Sequence, residues 1–424
     1  MTTSDVSLAR LLAPITPAVL RAEHWGRRAL HVAGGPTKLA PWRHPEGWRA
    51  WTLHDLHAAS LDADGVQQRE AVTLDQLDER LAAGCTICGD ASGDPRLRRV
   101  LADLCACLAA TSGRPFAKLY VSPPGRGYVL HADRYHVLVV QLSGRKRWWF
   151  EERPAVLQAV AGAEVTPDGR AVLTHPHQGA PLRADDGAEV PPPRDETLRQ
   201  VTLAPGDCLY LPPGAWHRTE AVSTSVALSL SPPRTPLVER VTATLARMLL
   251  RDPRWRADLQ GDDPAATLEA HLGELRALLD GLDPRVLARA WAMEHEQRLA
   301  TLVAGDSVEA PAVSEVAEVA QAPAPGDLLE RTDDRPLRWL VAPGDDGPEP
   351  VVFFYGGGQE WSLPRAAQPL LVGLARAAAF DVAQALAWAP ALDPADVRGV
   401  LAGLLRAGVL RRAARDPGGW RWRR

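Results

Sequence analysis

The spacing of apolar residues changes character three times along the chain. Residues 1–60 carry LARLLAPITPAVLRAEHW at helical spacing and then RALHVAG, which predicts a short strand; His54 and His57 fall in this helical lead-in as ordinary surface positions. From about 68 to 112, REAVTLDQLDERLAAG and DPRLRRVLADLCACLAA predict two helices around an apolar CTIC strand. Between 116 and 232 the pattern becomes short apolar runs cut by Pro and Gly: AKLYV, YVLHA, HVLVVQL, RKRWWF, RAVLT, RQVTL, DCLYL and SVALSL. Strands at this density predict a sandwich or barrel.

After Pro236 the helical period returns in LVERVTATLARMLL, ATLEAHLGELRALLDGL and PRVLARAWAMEHEQRLATLV, which suit a small bundle and a subunit interface. The stretch DSVEAPAVSEVAEVAQAPAPGD has linker composition, without aromatics. The strands PLRWLVA and PVVFFYGG follow, and then a three-helix run ending in LLRAGVLRR, which fits a winged-helix module. The expected organisation is an α+β chain with a β-rich domain and helical lead-in at 1–235, a helical dimerisation region at 236–303, a linker at 304–326 and a winged helix at 327–424.

Composition narrows the partners. The chain has 424 residues and a net charge of -4, which gives no overall attraction to nucleic acid or anionic lipid. Residues 360–424 are locally cationic, with ten Arg against five acidic residues and GGWRWRR at the end. The N-terminus lacks the basic start and apolar core of a signal peptide, and no run reaches the roughly 18 to 20 apolar residues of a spanning helix, so a cytoplasmic protein without a membrane segment is expected. Five cysteines, an odd number, argue against a disulfide framework. Cys85, Cys88, Cys105 and Cys107 have a zinc-like flavour, but helical spacing sends Cys105 and Cys107 to different sides; they read as structural thiols.

The segment HADRYHVLVVQLSGRKRWWF, residues 131–150, carries the chemistry. In an extended strand His131 and Asp133 project to one face, while His136 points away and Tyr135 shares the face less favourably. LAPGDCLYLPPGAWH supplies His217 after two turns. Two histidines and one carboxylate with open positions form the facial triad of non-haem Fe(II) oxygenases. Such enzymes usually take 2-oxoglutarate, whose distal carboxylate needs a cation in the barrel. RKRWWF puts Lys146, Trp148 and Phe150 on one face and Arg145, Arg147 and Trp149 on the other, and a lysine among inward aromatics is costly to bury unless an anion answers it. Lys146 is therefore the expected anchor. Lys118, Tyr120 and Ser122 share a face of KLYVS and are candidate hydrogen-bond partners of the cosubstrate. His175 and His177, in a Pro-rich loop, read as exposed, and GRGY at 125–128 reads as a turn rather than a phosphate loop.

At these residues the chain resembles the JmjC-type ribosomal oxygenases, also called the cupin-4 group. HWGRRALHVAGG, LYVSPPGRGYVLHADRYHVLVVQLSGRKRWW and LAPGDCLYLPPGAWH occur in the family's order, with the helical region and the C-terminal module behind them. The resemblance implies a double-stranded β-helix that binds Fe(II) through His131, Asp133 and His217, with 2-oxoglutarate held by Lys146 and lined by Tyr120 and Ser122. It also implies hydroxylation of a protein or peptide side chain, ribosomal proteins and ribosomally made peptides being family substrates. The chain departs from the family at Lys118, where asparagine is common, and at Ser225–Ser229, where the family carries a Ser-Leu-His-Leu-Thr-like strand. The rival expectation is a ligand-sensing cupin fused to a DNA-binding winged helix; DPADVRGVLAGLLRAG, as its recognition helix, offers few side chains to base edges. A cupin isomerase or a dioxygenase independent of 2-oxoglutarate would more often show further histidines and a glutamate.

Overall fold

The computed structural model describes residues 6–108, 115–174, 192–232, 234–258, 264–304, 323–332, 337–344, 347–356 and 358–413. Two compact units divide the chain, 1–236 and 237–424.

The first unit is built on two antiparallel sheets. Its strands in chain order are β1 (Leu30–Val32), β2 (His54–Leu61), β3 (Gln67–Ala71), β4 (Thr86–Asp90), β5 (Phe116–Ser122), β6 (His131–Ala132), β7 (Val137–Ser143), β8 (Lys146–Phe150), β9 (Ala163–Val165), β10 (Ala171–Leu173), β11 (Arg199–Leu203), β12 (Cys208–Leu211), β13 (Trp216–Ala221) and β14 (Ser225–Ser231). The larger sheet has the order β1-β12-β7-β14-β5-β4-β2-β3 and the smaller β10-β9-β6-β13-β8-β11.

Strand periodicity explains how the sheets are covered. In β7, Leu138 and Val140 enter a core with Leu8, Leu11, Leu12, Leu101 and Leu104 of the N-terminal helices. Val137 and Val139 face the other way and pack with Trp148, Phe150, Leu203 and Leu209. An uninterrupted Val-Leu-Val-Val run therefore reads as a strand buried on both faces. His136, just before β7, leaves the ligand face as its position predicts. It stacks on Trp25 with ring centroids 3.7 Å apart, and its Nδ1 lies 2.9 Å from the Tyr210 hydroxyl, which also accepts the Gly26 N–H at 2.8 Å. Burial pushes this imidazole down to about 3, so it is neutral.

Two expectations for the lead-in are corrected. His54 and His57 lie on β2, and the first three residues of the expected helix, Arg69 to Ala71, belong to edge strand β3. The helical run that follows is shorter, Leu77–Ala82. The β2 pattern was hidden because its pairing with β4 shifts register between His54 and His57, where Asp55 takes a φ of 46°.

In the second unit, helices Leu237–Leu249, Pro264–Asp280 and Pro284–Ala304 occupy the predicted helical segment. The strands that follow are β15 (Leu328–Arg331), β16 (Arg338–Gly344), β17 (Gly347–Gly356), β18 (Gln359–Pro364), β19 (Ala379–Asp381) and β20 (Leu410–Arg412). β16, β17 and β18 form a meander, and β19-β15-β20 a second sheet beside helices Gln368–Arg376, Val382–Trp388 and Pro394–Arg406. Pro284–Ala304 packs on the meander: Arg289 pairs with Glu360 at 2.7 Å and lies over Phe353 at 3.8 Å. Most of the expected linker lies outside the described residues. No helix among the described residues is long and apolar enough to cross a membrane.

The turn between β7 and β8 sets where Lys146 enters the barrel. Gly144 has a φ of 65°, and a Cβ there would meet the Thr224 carbonyl oxygen at 1.9 Å. Gly144→Ala is expected to lower unfolding free energy by at least about 2 kcal/mol in urea denaturation, because both the left-handed backbone and the clash oppose a side chain.

Candidate metal and cosubstrate site

The two histidines meet because their strands pair. In the antiparallel ladder of β6 and β13, His217 stands directly opposite His131. Residues opposite each other share a face, and the ring centroids lie 4.1 Å apart. Asp133 follows two residues after His131, and its Oδ2 is 3.9 Å from His131 Nε2 and 3.8 Å from His217 Nε2. Among the described residues these three form the group whose donor atoms could hold a metal ion, all within 4.8 Å of one another.

Each imidazole is held by its own chain. His131 Nδ1 is 2.8 Å from the Val129 carbonyl oxygen and His217 Nδ1 is 2.9 Å from that of Ala215. A carbonyl only accepts, so each Nδ1 carries the proton and each Nε2 keeps its lone pair toward Asp133. His217 is buried, and burial together with the neighbouring His131 pushes it down to about 4. The neutral imidazole is the form that binds a metal. Trp148 stacks against His217 at 5.8 Å. The Gly214 N–H donates to the Asp133 carbonyl at 2.8 Å, tying the Pro212-Pro213-Gly214 turn to the ligand segment.

Strand β8 continues the same surface. β13 pairs with β8 so that Phe150 faces His217, Trp148 faces Thr219 and Lys146 faces Ala221. The expected alternation holds: Lys146, Trp148 and Phe150 are buried, while Arg147 and Trp149 are half-buried and Arg145 exposed. Lys146 is 3 % exposed, donates to Ser122 Oγ at 3.1 Å and lies over the Tyr120 ring at 5.8 Å. Ser122 also accepts from Thr86 Oγ1 at 3.2 Å. No ion pair involves Lys146 among the described residues. Burial pushes its ammonium down to about 8.

These groups line one cavity of about 460 Å³. It brings together all seven residues expected from the sequence: His131, Asp133, His217, Lys146, Tyr120, Lys118 and, through its bond to Lys146, Ser122. Sequence reasoning missed others that line it, among them His57, Arg69, Cys88, Asp90, Tyr128 and Glu164. His57 was read as a helical surface residue and Cys88 as a structural thiol. The Cys88 thiol lies within hydrogen-bonding reach of the Tyr120 and Tyr128 hydroxyls, and burial pushes all three groups up. All five cysteines are buried, and none is in a disulfide. His175 and His177 lie outside the described residues.

Two antiparallel sheets enclosing two histidines and a carboxylate define a double-stranded β-helix of the metal-binding kind. Residues 96–240 match the JmjC domain family. An uncharacterized Bacillus subtilis protein, YxbC, is 28 % identical over 271 residues, 59 % of this chain and 77 % of its own length. The bifunctional lysine-specific demethylase and histidyl-hydroxylase NO66 of Drosophila persimilis is 24 % identical over 53 % of this chain, which spans only 31 % of that protein. The Escherichia coli ribosomal oxygenase YcfD, solved with cobalt and 2-oxoglutarate, superposes with a TM-score of 0.47 and 20 % identity, covering 93 % of this chain and 97 % of that one.

Replacing His131 or Asp133 by Ala removes one of three donors. Calorimetric titration of either variant with Co(II) or Mn(II) is expected to show binding weakened by more than about 100-fold, beyond the loss typical of an outer hydrogen-bond partner.

Proposed function

We propose that the chain is an Fe(II)- and 2-oxoglutarate-dependent oxygenase that hydroxylates a side chain of a protein or peptide. One observation carries this reading: the cavity holds a His-Asp-His group and, further in, a buried lysine without an ion-pair partner among the described residues. Nitrogen and carboxylate donors that occupy one face suit non-haem iron with open positions, whereas a closed zinc site would need a fourth ligand. A buried ammonium is tolerable when an anion answers it. A dicarboxylate fits both demands, one end chelating the metal and the other on Lys146.

In this reading His131, Asp133 and His217 hold the ion, which when bound supplies the activation of dioxygen while 2-oxoglutarate is oxidised to succinate and carbon dioxide. Lys146 fixes the distal carboxylate, and Ser122, oriented by Thr86, steadies the ammonium. Tyr120 and Trp148 line the cavity and exclude water from it. The histidyl-hydroxylase among the relatives favours a protein or peptide substrate, and the family resemblance a ribosomal protein or a ribosomally made peptide. A regulator reading has less support, because the cavity carries the full donor set and the helix Pro394–Arg406 buries much of its surface.

The test is anaerobic addition of Fe(II) and then 2-oxoglutarate, watching the visible charge-transfer band of the chelate. The band is expected in the unaltered protein and absent in His131→Ala; a band that survives in that variant would refute the site. Cosubstrate binding needs Lys146 protonated. With its ammonium down at about 8, affinity for 2-oxoglutarate is expected to fall by about tenfold between pH 7 and pH 9. Lys146→Met should bind weakly and without that pH dependence.

We further propose that the second unit pairs two copies of the chain and includes a winged-helix module in its C-terminal part. Helix Pro264–Asp280 exposes Leu268, Leu272 and Leu279, which share one helical face. Leu237 and Val238 are exposed on Leu237–Leu249. Leu272→Glu is expected to shift the mass measured by light scattering from dimer to monomer.

A further inference from the structure

Resting on the oxygenase reading, we propose that Lys118 makes the outer part of the same cavity a subsite for a carboxylate-bearing substrate residue. The occupant is an aspartyl or glutamyl side chain, and arginyl side chains are turned away.

Lys118, Tyr120 and Ser122 take successive positions on one face of β5, and Lys118 and Tyr120 line the cavity. Ser122 is already engaged by Lys146, and Lys118 lies four residues away, about 13 Å along the strand. Midway, Tyr120 meets Tyr128 edge-on at 5.6 Å, and Tyr128 lies 6.0 Å from His131. The two lysines thus stand at opposite ends of β5 with the ligand region between them. A cosubstrate on Lys146 leaves the Lys118 end open.

Lys118 is exposed at that end and makes no ion pair among the described residues. Its cross-strand partner, Asp90, also lines the cavity and accepts the Ser92 N–H at 2.7 Å through Oδ1. Glu164 is taken by Arg69 at 3.1 Å. Tyr120 and Tyr128, whose hydroxyls can donate, line the same cavity. A cation and hydroxyl donors in one cavity match a carboxylate in chemistry and in charge. A guanidinium in the same place would meet a like charge.

The Fe(II)·2-oxoglutarate complex, held anaerobically, supplies the readout. Its visible band is titrated with the N-acetyl methylamides of aspartate, asparagine and arginine. The aspartyl amide is expected to perturb the band at a concentration at least tenfold below the other two. Lys118→Met should erase that preference, and Lys118→Glu should turn it toward the arginyl amide. Equal half-saturation for the three amides, no perturbation by any of them, or a preference that survives in Lys118→Met overturns the proposal. So does a half-saturation that rises with 2-oxoglutarate concentration, which would put the amide on Lys146. A Lys118→Met variant that needs more 2-oxoglutarate yet keeps the amide preference would make Lys118 a cosubstrate contact instead. A band missing before any amide is added refutes the oxygenase reading itself.

Discussion

The pairing of His131 with His217 across β6 and β13 is the contact on which the site depends. β6 is only two residues long, so little hydrogen bonding of its own holds it in register. The register comes from β13, which is pinned on its other side by five pairs to β8. Those same pairs carry Trp148 and Lys146 into the cavity. A slip of one residue in this ladder would turn the second histidine out of the cavity and the lysine with it. Metal donors and anion anchor are therefore set by a single alignment of strands.

The buried lysine shows how the fold tolerates charge where the core is otherwise apolar. Lys146 sits between Trp148 and the β5 face with one hydroxyl as its partner and a second hydroxyl behind that. One neutral oxygen satisfies part of its donor capacity and none of its charge. The cavity is thus prepared for an anion before one arrives, and little reorganisation is left to do on binding. The Tyr120 ring lies over the ammonium at 5.8 Å.

The legible parts of the site were those written in a period of two. RKRWWF separates its buried and outward residues by simple alternation, and His131-x-Asp133 does the same over a shorter span. The lining from β2, β3 and β4 was not legible. Asp55 at positive φ and the register shift beside it break the alternation around His57. β3 is an edge strand, QQREA, with almost no apolar residue to reveal a period. Cys88 lies in a strand buried along nearly its whole length, where an apolar run hides which face meets a cavity. The Trp25, His136 and Tyr210 cluster was equally hidden, since its members come from segments far apart in the chain. The helices of the second unit were legible from amphipathic spacing, but the packing of Pro284–Ala304 on the meander was not.

Both imidazoles are oriented by carbonyl oxygens two residues before them, at Val129 and Ala215. Every amino acid brings the same carbonyl, so the instruction that aims the metal-facing nitrogens is independent of the side chains at 129 and 215. Half-buried Val129 can therefore change its side chain while the ligand geometry stays put, whereas Ala215 is held small by the core around it. A survey of variants would find position 129 permissive, and would understate how much of the centre it holds.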